Sequence, residues 1–335
     1  MTCAWPLLAF CFSFALAAQV DTPTAAPSDT EHPATVLSGS SKIYLNMPAF
    51  GAIGFPLCDA SGDIYFNVGV EPGQFGPFLK IKSDGSSHTI FDMPYEERDW
   101  GAIRWAVAPD GTFYVLHVSA KRRVFRLIRY REDATVADIS DYSIPWDTGI
   151  QHLAINNSGV LYVAGFKKTQ QADDKPRAGY AALFSPSGKL LVDLSQGSDE
   201  VRLDIAHTPE GGVTAATDGR FYVLGEKTIK VINQAGEIER ILNFQKPTKE
   251  SFPARIDFSQ GALSIGLETV RERPGLASSL DTTTLVLDAQ SGEQLGSYAF
   301  DPKLTGTTLC FNRTEGYSML ARDPSKEAIE QVPMR

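Results

Sequence analysis

Short runs in which apolar and polar residues alternate recur along this chain, each opened by a polar residue and Gly. That is the pattern of half-buried strands joined by tight turns. The openings are Ser61-Gly62, Asp110-Gly111, Ser158-Gly159, Asp218-Gly219, Gln260-Gly261 and Glu315-Gly316, at an average spacing of about 51 residues. Val107–Val115 is the cleanest copy: Pro109 and Asp110 shape the turn, Gly111 takes a positive φ, and Thr112-Phe113-Tyr114-Val115 starts the next strand. A second hairpin signal follows within most units. It reads Ser83-Asp84-Gly85, Pro186-Ser187-Gly188, Gln234-Ala235-Gly236 and Gln290-Ser291-Gly292, with a glycine-free version at Glu132-Asp133-Ala134. Two hairpins per unit make a four-stranded antiparallel blade, so the expected fold is all-β, a six-bladed β-propeller. No stretch sustains the 3.6-residue helical period for three turns.

The last unit is one strand short. Strands are expected at Tyr317–Ala321 and near Ala328–Val332, after which the chain ends. Ahead of the first unit lies an unassigned apolar segment, Lys42–Met47. It is expected to be the N-terminal strand that closes the last blade, which removes an open edge. Residues 42–335 then form a single propeller domain. The apolar run ending at Ala15-Leu16-Ala17 is too short to span a bilayer and reads as a cleaved signal peptide over residues 1–17. Residues 18–41, rich in Thr, Ala, Pro and Ser, read as a flexible spacer. The expected location is therefore secreted or periplasmic, with no membrane span.

Composition adds two points. The formal net charge of −9 argues against nucleic acid as a partner. Of four cysteines, two leave with the signal peptide, and Cys58 and Cys310 remain beside the closure of the ring. They are either a disulfide stapling the seam or two separate buried thiols.

The polar-Gly turns are uniform, so variable chemistry is expected at the opposite end of the hairpins. There Val118–Val124 carries Lys121, Arg122 and Arg123, and Phe166–Tyr180 carries Lys167, Lys168, Lys175 and Arg177 against Asp173 and Asp174. The local excess is about five positive charges. Lys121, Arg122, Arg123, Lys167 and Lys168 are candidate ligand-binding residues; the alternative is an ordinary solvated surface. The channel mouth supplies a second group, Arg104, His152, Asp204, His207 and Asp257, as candidates for a catalytic or metal site or for a polar channel lining. Their spacing matches no metal or nucleophile motif.

Asp110–Val115, Asp218–Val223 and Ser158–Val163, with the hairpins Pro186-Ser187-Gly188-Lys189 and Gln234-Ala235-Gly236-Glu237, resemble NHL-type six-bladed β-propellers, above all exported bacterial members without assigned activity. The resemblance covers residues 42–335 and implies a rigid platform for a protein, small-molecule or glycan ligand. The wider group includes gluconolactonase-like and amidating-lyase-like enzymes with a divalent metal at the channel mouth. Their pattern is only thinly present: Gly51–Leu57 holds no acid, and of the histidines only His152 is well placed. The resulting expectation is an exported, monomeric binding or scaffolding module with no identified cofactor. The alternative is a Ca²⁺- or Zn²⁺-dependent hydrolase or lyase, and the residues leave open whether any catalysis occurs.

Overall fold

The computed structural model describes residues 35–37, 43–45, 52–68, 77–84, 86–91, 100–167, 179–195, 208, 211–271, 279–300, 306–312, 316–323 and 328–334. Two short strands come first, β1 (Thr35–Leu37) and β2 (Ile43–Leu45). Next are β3 (Ala52–Cys58), β4 (Ile64–Val68), β5 (Phe78–Ile81) and β6 (His88–Phe91). They are followed by β7 (Trp100–Val107), β8 (Phe113–Ser119), β9 (Val124–Tyr130) and β10 (Val136–Tyr142). Then come β11 (Thr148–Ile155), β12 (Leu161–Lys167), β13 (Gly179–Phe184) and β14 (Leu190–Asp193). The next group is β15 (Val213–Ala215), β16 (Phe221–Leu224), β17 (Thr228–Ile232) and β18 (Ile238–Asn243). The long strands β19 (Phe252–Ser259), β20 (Ala262–Arg271) and β21 (Ser279–Asp288) lead to β22 (Gln294–Phe300). The chain closes with β23 (Gly306–Asn312), β24 (Gly316–Asp323) and β25 (Ala328–Met334).

Each group pairs as an antiparallel meander, giving five four-stranded sheets and one five-stranded sheet among the described residues. The first strands of successive sheets touch in turn, β3 to β7, β11, β15, β19 and β23, and β23 returns to β3. Four-stranded blades around a ring of inner strands make the architecture a β-propeller. The last sheet is completed by the N-terminus: β2 pairs antiparallel with β25, Tyr44 opposite Glu330. The expected closing segment Lys42–Met47 is ordered as a strand over its centre.

Two expectations need correction. Equal four-stranded blades are found in five sheets, whereas the β19–β22 sheet carries a fifth strand. That strand is β1, which pairs parallel with β22 and lies inside the segment expected to be only a flexible spacer. Its three residues, Thr-Val-Leu, are good strand formers in an otherwise Pro- and Ser-rich stretch.

The turns form for the reason their sequence suggests. Gly111, at φ 84°, donates its N–H to the Ala108 carbonyl at 2.8 Å, while the Ala108 N–H donates to the Thr112 carbonyl at 2.9 Å. This is a type I turn closed by a left-handed residue, the position only Gly takes without strain. The glycine-free copy adopts the same frame, with Ala134 forced to φ 63° and donating to the Arg131 carbonyl. A left-handed L-residue costs about 1–2 kcal/mol, partly offset in Gly by its looser unfolded chain. Ala134→Gly is therefore expected to stabilise the protein by about 0.5–1 kcal/mol, read as a higher urea midpoint at unchanged m-value.

Apolar clusters fill the spaces between blades. Tyr65, Phe78 and Phe91 of the first sheet meet Phe113, Val115 and Tyr130 of the second. Leu116, Phe125 and Tyr142 meet Ile155, Leu161 and Phe184, and Tyr162 and Leu183 meet Val213 and Phe221. Tyr222 and Val231 meet Ile256, Leu263 and Leu285. Neighbouring blades are also stitched at their turns: the Tyr65 hydroxyl donates to the Gly111 carbonyl at 2.8 Å, and the Asn156 amide to the Gly219 carbonyl at 3.0 Å.

Candidate functional site

In the second blade the β8–β9 turn, Ala120–Arg123, lies at the opposite end of its hairpin from Gly111. Lys121, Arg122 and Arg123 are all exposed there, and Arg123 sits at φ 52°. The turn is anchored from below by Ser119, which is fully buried and whose hydroxyl accepts the Arg122 N–H at 3.2 Å. The register then builds an ordered array beside it. Trp100 stands opposite Ser119, and a row of cross-strand neighbours runs Ala102, His117, Arg126 and Asp141. Asp141 accepts two bonds from Arg126, at 2.6 and 3.2 Å. The Arg126 guanidinium lies 4.1 Å from the centre of the Trp100 ring, and that of Arg122 lies 5.6 Å away. Such stacking holds a guanidinium flat and leaves its N–H edges for ligands or carboxylates.

His117 is buried beneath this array, and burial together with the neighbouring Arg126 pushes its imidazole down to about 4. It is neutral at physiological pH, so it adds no charge to the turn. The equivalent corner of the third blade holds Lys167. Its ammonium lies 3.4 Å from Asp147 and 4.6 Å from the centre of the Tyr180 ring. Asp147 offsets one of the expected cations, Lys167, and Asp141 is matched by Arg126, while Lys121, Arg122 and Arg123 stay together on one turn. Lys168 lies outside the described residues.

The channel-mouth candidates are dispersed. Arg104, on β7, turns its Nε to the Gln151 carbonyl at 3.1 Å and its Nη1 to the Ile103 carbonyl at 2.7 Å. His152 is buried opposite Ala164, whose side chain packs in the cluster between the third and fourth blades. Asp257, on β19, is buried and gripped by Arg255, whose Nε reaches Oδ2 at 2.8 Å. Burial raises the Asp257 carboxyl above its ordinary range and Arg255 opposes that shift; Glu268 is raised for the same reason and opposed by the same cation. Arg104, His152 and Asp257 therefore sit on the first strands of three separate blades, with Arg104 reaching the third-blade backbone beside His152 and Asp257 held by Arg255. Asp204 and His207 lie outside the described residues.

Cys58 is disulfide-bonded, and Arg255 Nη2 lies 3.9 Å from its sulfur. Its expected partner Cys310 sits on β23, the strand that packs on β3, but the side chains of β23 lie outside those described.

The described channel candidates do not assemble a set of metal ligands. The inner strand β3 carries no acid, β7 brings Arg104, and β19 brings Asp257 together with Arg255, which holds its carboxylate. Among the described residues no three His, Cys, Asp or Glu side chains stand together as a metal cluster. The array around Trp100 escaped the reading of local sequence because Trp100 is 26 residues from Arg126, and Arg126 is 15 from Asp141. The signal was nevertheless present: centring the two hairpins on their turns pairs His117 with Arg126 and Arg126 with Asp141.

No family model matches the chain, and no curated protein does. Solved structures do match. A member of the DUF4221 family from Bacteroides vulgatus is 10% identical with a TM-score of 0.57, covering 89% of this chain and 97% of that one. A luciferin-regenerating enzyme is 13% identical with a TM-score of 0.51, covering 88% and 94%. A calcium-binding protein, regucalcin, from Agrobacterium tumefaciens is 13% identical with a TM-score of 0.49, covering 90% and 95%. These neighbours are β-propeller proteins, and likeness at this identity concerns the fold alone.

Proposed function

We propose that this chain is an exported binding module, a six-bladed NHL-type ring that presents the β8–β9 turn of its second blade to a carboxylate-bearing ligand. The observation that carries the reading is the exposed Lys121-Arg122-Arg123 turn beside the stacked Trp100 and Arg126. Guanidinium and ammonium groups on a buried anchor suit carboxylates by charge and by hydrogen-bond geometry. Rigid support matters because less side-chain freedom is lost on binding. Lys167 extends the same surface into the third blade. The ring acts as a single copy, without nucleic acid and without a resident cofactor.

The test is calorimetric titration with two defined carboxylate probes, a polyuronate oligosaccharide and an oligoglutamate peptide, with the neutral oligosaccharide as control. Binding of either acidic probe, weakened roughly tenfold or more by Lys121→Ala/Arg122→Ala/Arg123→Ala, supports the reading. The preferred probe tells a glycan from an acidic protein segment. Equal binding by the native chain and the triple variant overturns it. Stoichiometric Ca²⁺ or Zn²⁺ in the purified protein, with a thermal shift on adding metal, would instead favour the hydrolase or lyase alternative.

A further inference from the structure

Two of the polar-Gly turns are opened by a buried polar side chain that faces the next blade. In the third blade it is Asn156 and in the first it is Asp59, where the second and fourth blades have Ala108 and Ala216. The two side chains begin alike. Asn156 Oδ1 accepts the Ser158 and Val160 N–H groups, both at 3.0 Å. Asp59 Oδ1 accepts the Ser61 and Asp63 N–H groups at 2.9 and 3.0 Å, and the Ser61 hydroxyl at 2.6 Å.

Their second atoms differ. Asn156 Nδ2 donates to the Gly219 carbonyl of the fourth blade at 3.0 Å, which satisfies the amide at both ends. Asp59 Oδ2 occupies the matching place: a Cβ on Gly111 would meet it at 2.9 Å, as one on Gly219 would meet Asn156 Nδ2 at 3.6 Å. An ionised carboxylate, however, has no proton to give. The Tyr65 hydroxyl donates to the Gly111 carbonyl instead, at 2.8 Å, and also lies 3.2 Å from Asp59 Oδ2. One hydroxyl proton cannot serve both acceptors. While Asp59 is ionised, a carboxylate oxygen of a residue only 2% exposed competes with the Gly111 carbonyl for it. Once Oδ2 is protonated the chain closes, because Asp59 donates to the Tyr65 oxygen and Tyr65 donates to Gly111.

The surrounding charges favour that form. Lys80 on β5 and Lys82 just beyond it both face Asp63, and Lys82 also faces Glu132 of the second blade. Two cations and two carboxylates balance there without Asp59. Burial raises the Asp59 carboxyl above the ordinary aspartate range; Asp63 adds to the shift, while the Ser61 hydroxyl and Lys80 oppose it. Burial also raises the Tyr65 phenol, which keeps its proton throughout.

We propose that the joint between the first and second blades is operated by a proton: uptake at Asp59 Oδ2 completes a relay through Tyr65 to the Gly111 carbonyl and tightens the contact. Asn156 makes the corresponding joint between the third and fourth blades without a titrating group. The two joints share one turn design, and only the first responds to pH.

The test is urea unfolding of the full native chain and of Asp59→Asn between about pH 4 and pH 8. The variant carries a donor at every pH, and comparing the two chains cancels the titration of all other groups. At the alkaline end the variant is expected to be the more stable. A carboxyl raised in the fold takes up its proton before the unfolded chain does, so acidification stabilises the native chain. Its unfolding constant should therefore fall relative to the variant's by up to about tenfold per pH unit, until the ordinary aspartate range is reached. A difference that does not change with pH, or a variant less stable than the native chain throughout, would overturn the proposal. If Asp59→Asn does not fold, carbon-13 spectra of the native chain labelled at Asp and Tyr decide the matter, with Tyr65→Phe assigning the ring signal. A Tyr65 signal that moves together with a carboxyl titrating above the ordinary range supports the relay, and a Tyr65 signal that no carboxyl titration moves overturns it.

Discussion

Asp63→Ala is expected to lower stability by about 3 kcal/mol, the lower end of the cost of orphaning one member of a buried ion pair. Lys80 is buried between the first two blades, with its ammonium 3.1 Å from Asp63 and 5.2 Å from the centre of the Tyr65 ring. Asp63 also meets Lys82 at 3.2 Å and accepts the Ser83 N–H at 2.9 Å. Removing its carboxylate leaves a desolvated cation and a lost backbone bond together. The cost stays near the lower end because the carboxylate of Asp59 is close enough to interact with Lys80. Urea unfolding of Asp63→Ala tests the prediction directly, and Asp63→Leu, Lys80→Met and Asp63→Leu/Lys80→Met check the argument as a double-mutant cycle. The double variant should recover to within about 1 kcal/mol of the native chain, since replacing both partners by apolar groups removes the desolvation penalty as well. A single variant as stable as the native chain would show that the pair is solvated.

This network illustrates what the sequence did and did not make legible. Turn positions, the four-strand meander and the closing role of Lys42–Met47 follow from local alternation and from Gly at positive φ, both properties of neighbouring residues. The Asp59–Asp63–Tyr65–Lys80 group does not, because Lys80 is 17 residues from Asp63 and reads locally as one more polar strand position. The surroundings of the channel candidates were hidden for a related reason. An inner-strand location put Arg104, His152 and Asp257 near the axis, but spacing within a strand does not say whether a side chain turns to the axis, to its own backbone or into a neighbouring blade. Asp257 is held by Arg255 two residues away on its own strand, a pairing legible in principle from the shared face. The exposure of the basic turn was legible because exposure and charge are local. Its aromatic support at Trp100 required hairpin register.

Gly188→Ala is expected to cost about 3 kcal/mol or more, whereas Gly292→Ala should cost only about 1–2 kcal/mol, although both glycines close the outer hairpin of a blade at nearly the same φ, 79° and 76°. The left-handed backbone charges both substitutions alike. The difference is what an added Cβ meets. At Gly292 it approaches the Leu242 side chain at 3.2 Å, which a small rotation relieves. At Gly188 it would lie 2.0 Å from the Asp141 carbonyl oxygen, and the Gly188 carbonyl already accepts the Ser143 N–H at 3.1 Å, so two backbones of adjacent blades must separate. Thermal unfolding of the two variants side by side isolates the close approach, and equal losses would show that the turn conformation alone requires Gly188. The consequence reaches the binding surface as well. Asp141 is the residue whose carboxylate grips Arg126, so moving its backbone should loosen the guanidinium stacked on Trp100. Tryptophan emission of the folded variant should therefore shift for Gly188→Ala and stay unchanged for Gly292→Ala. One turn glycine in the third blade thereby fixes the geometry of the cationic array in the second.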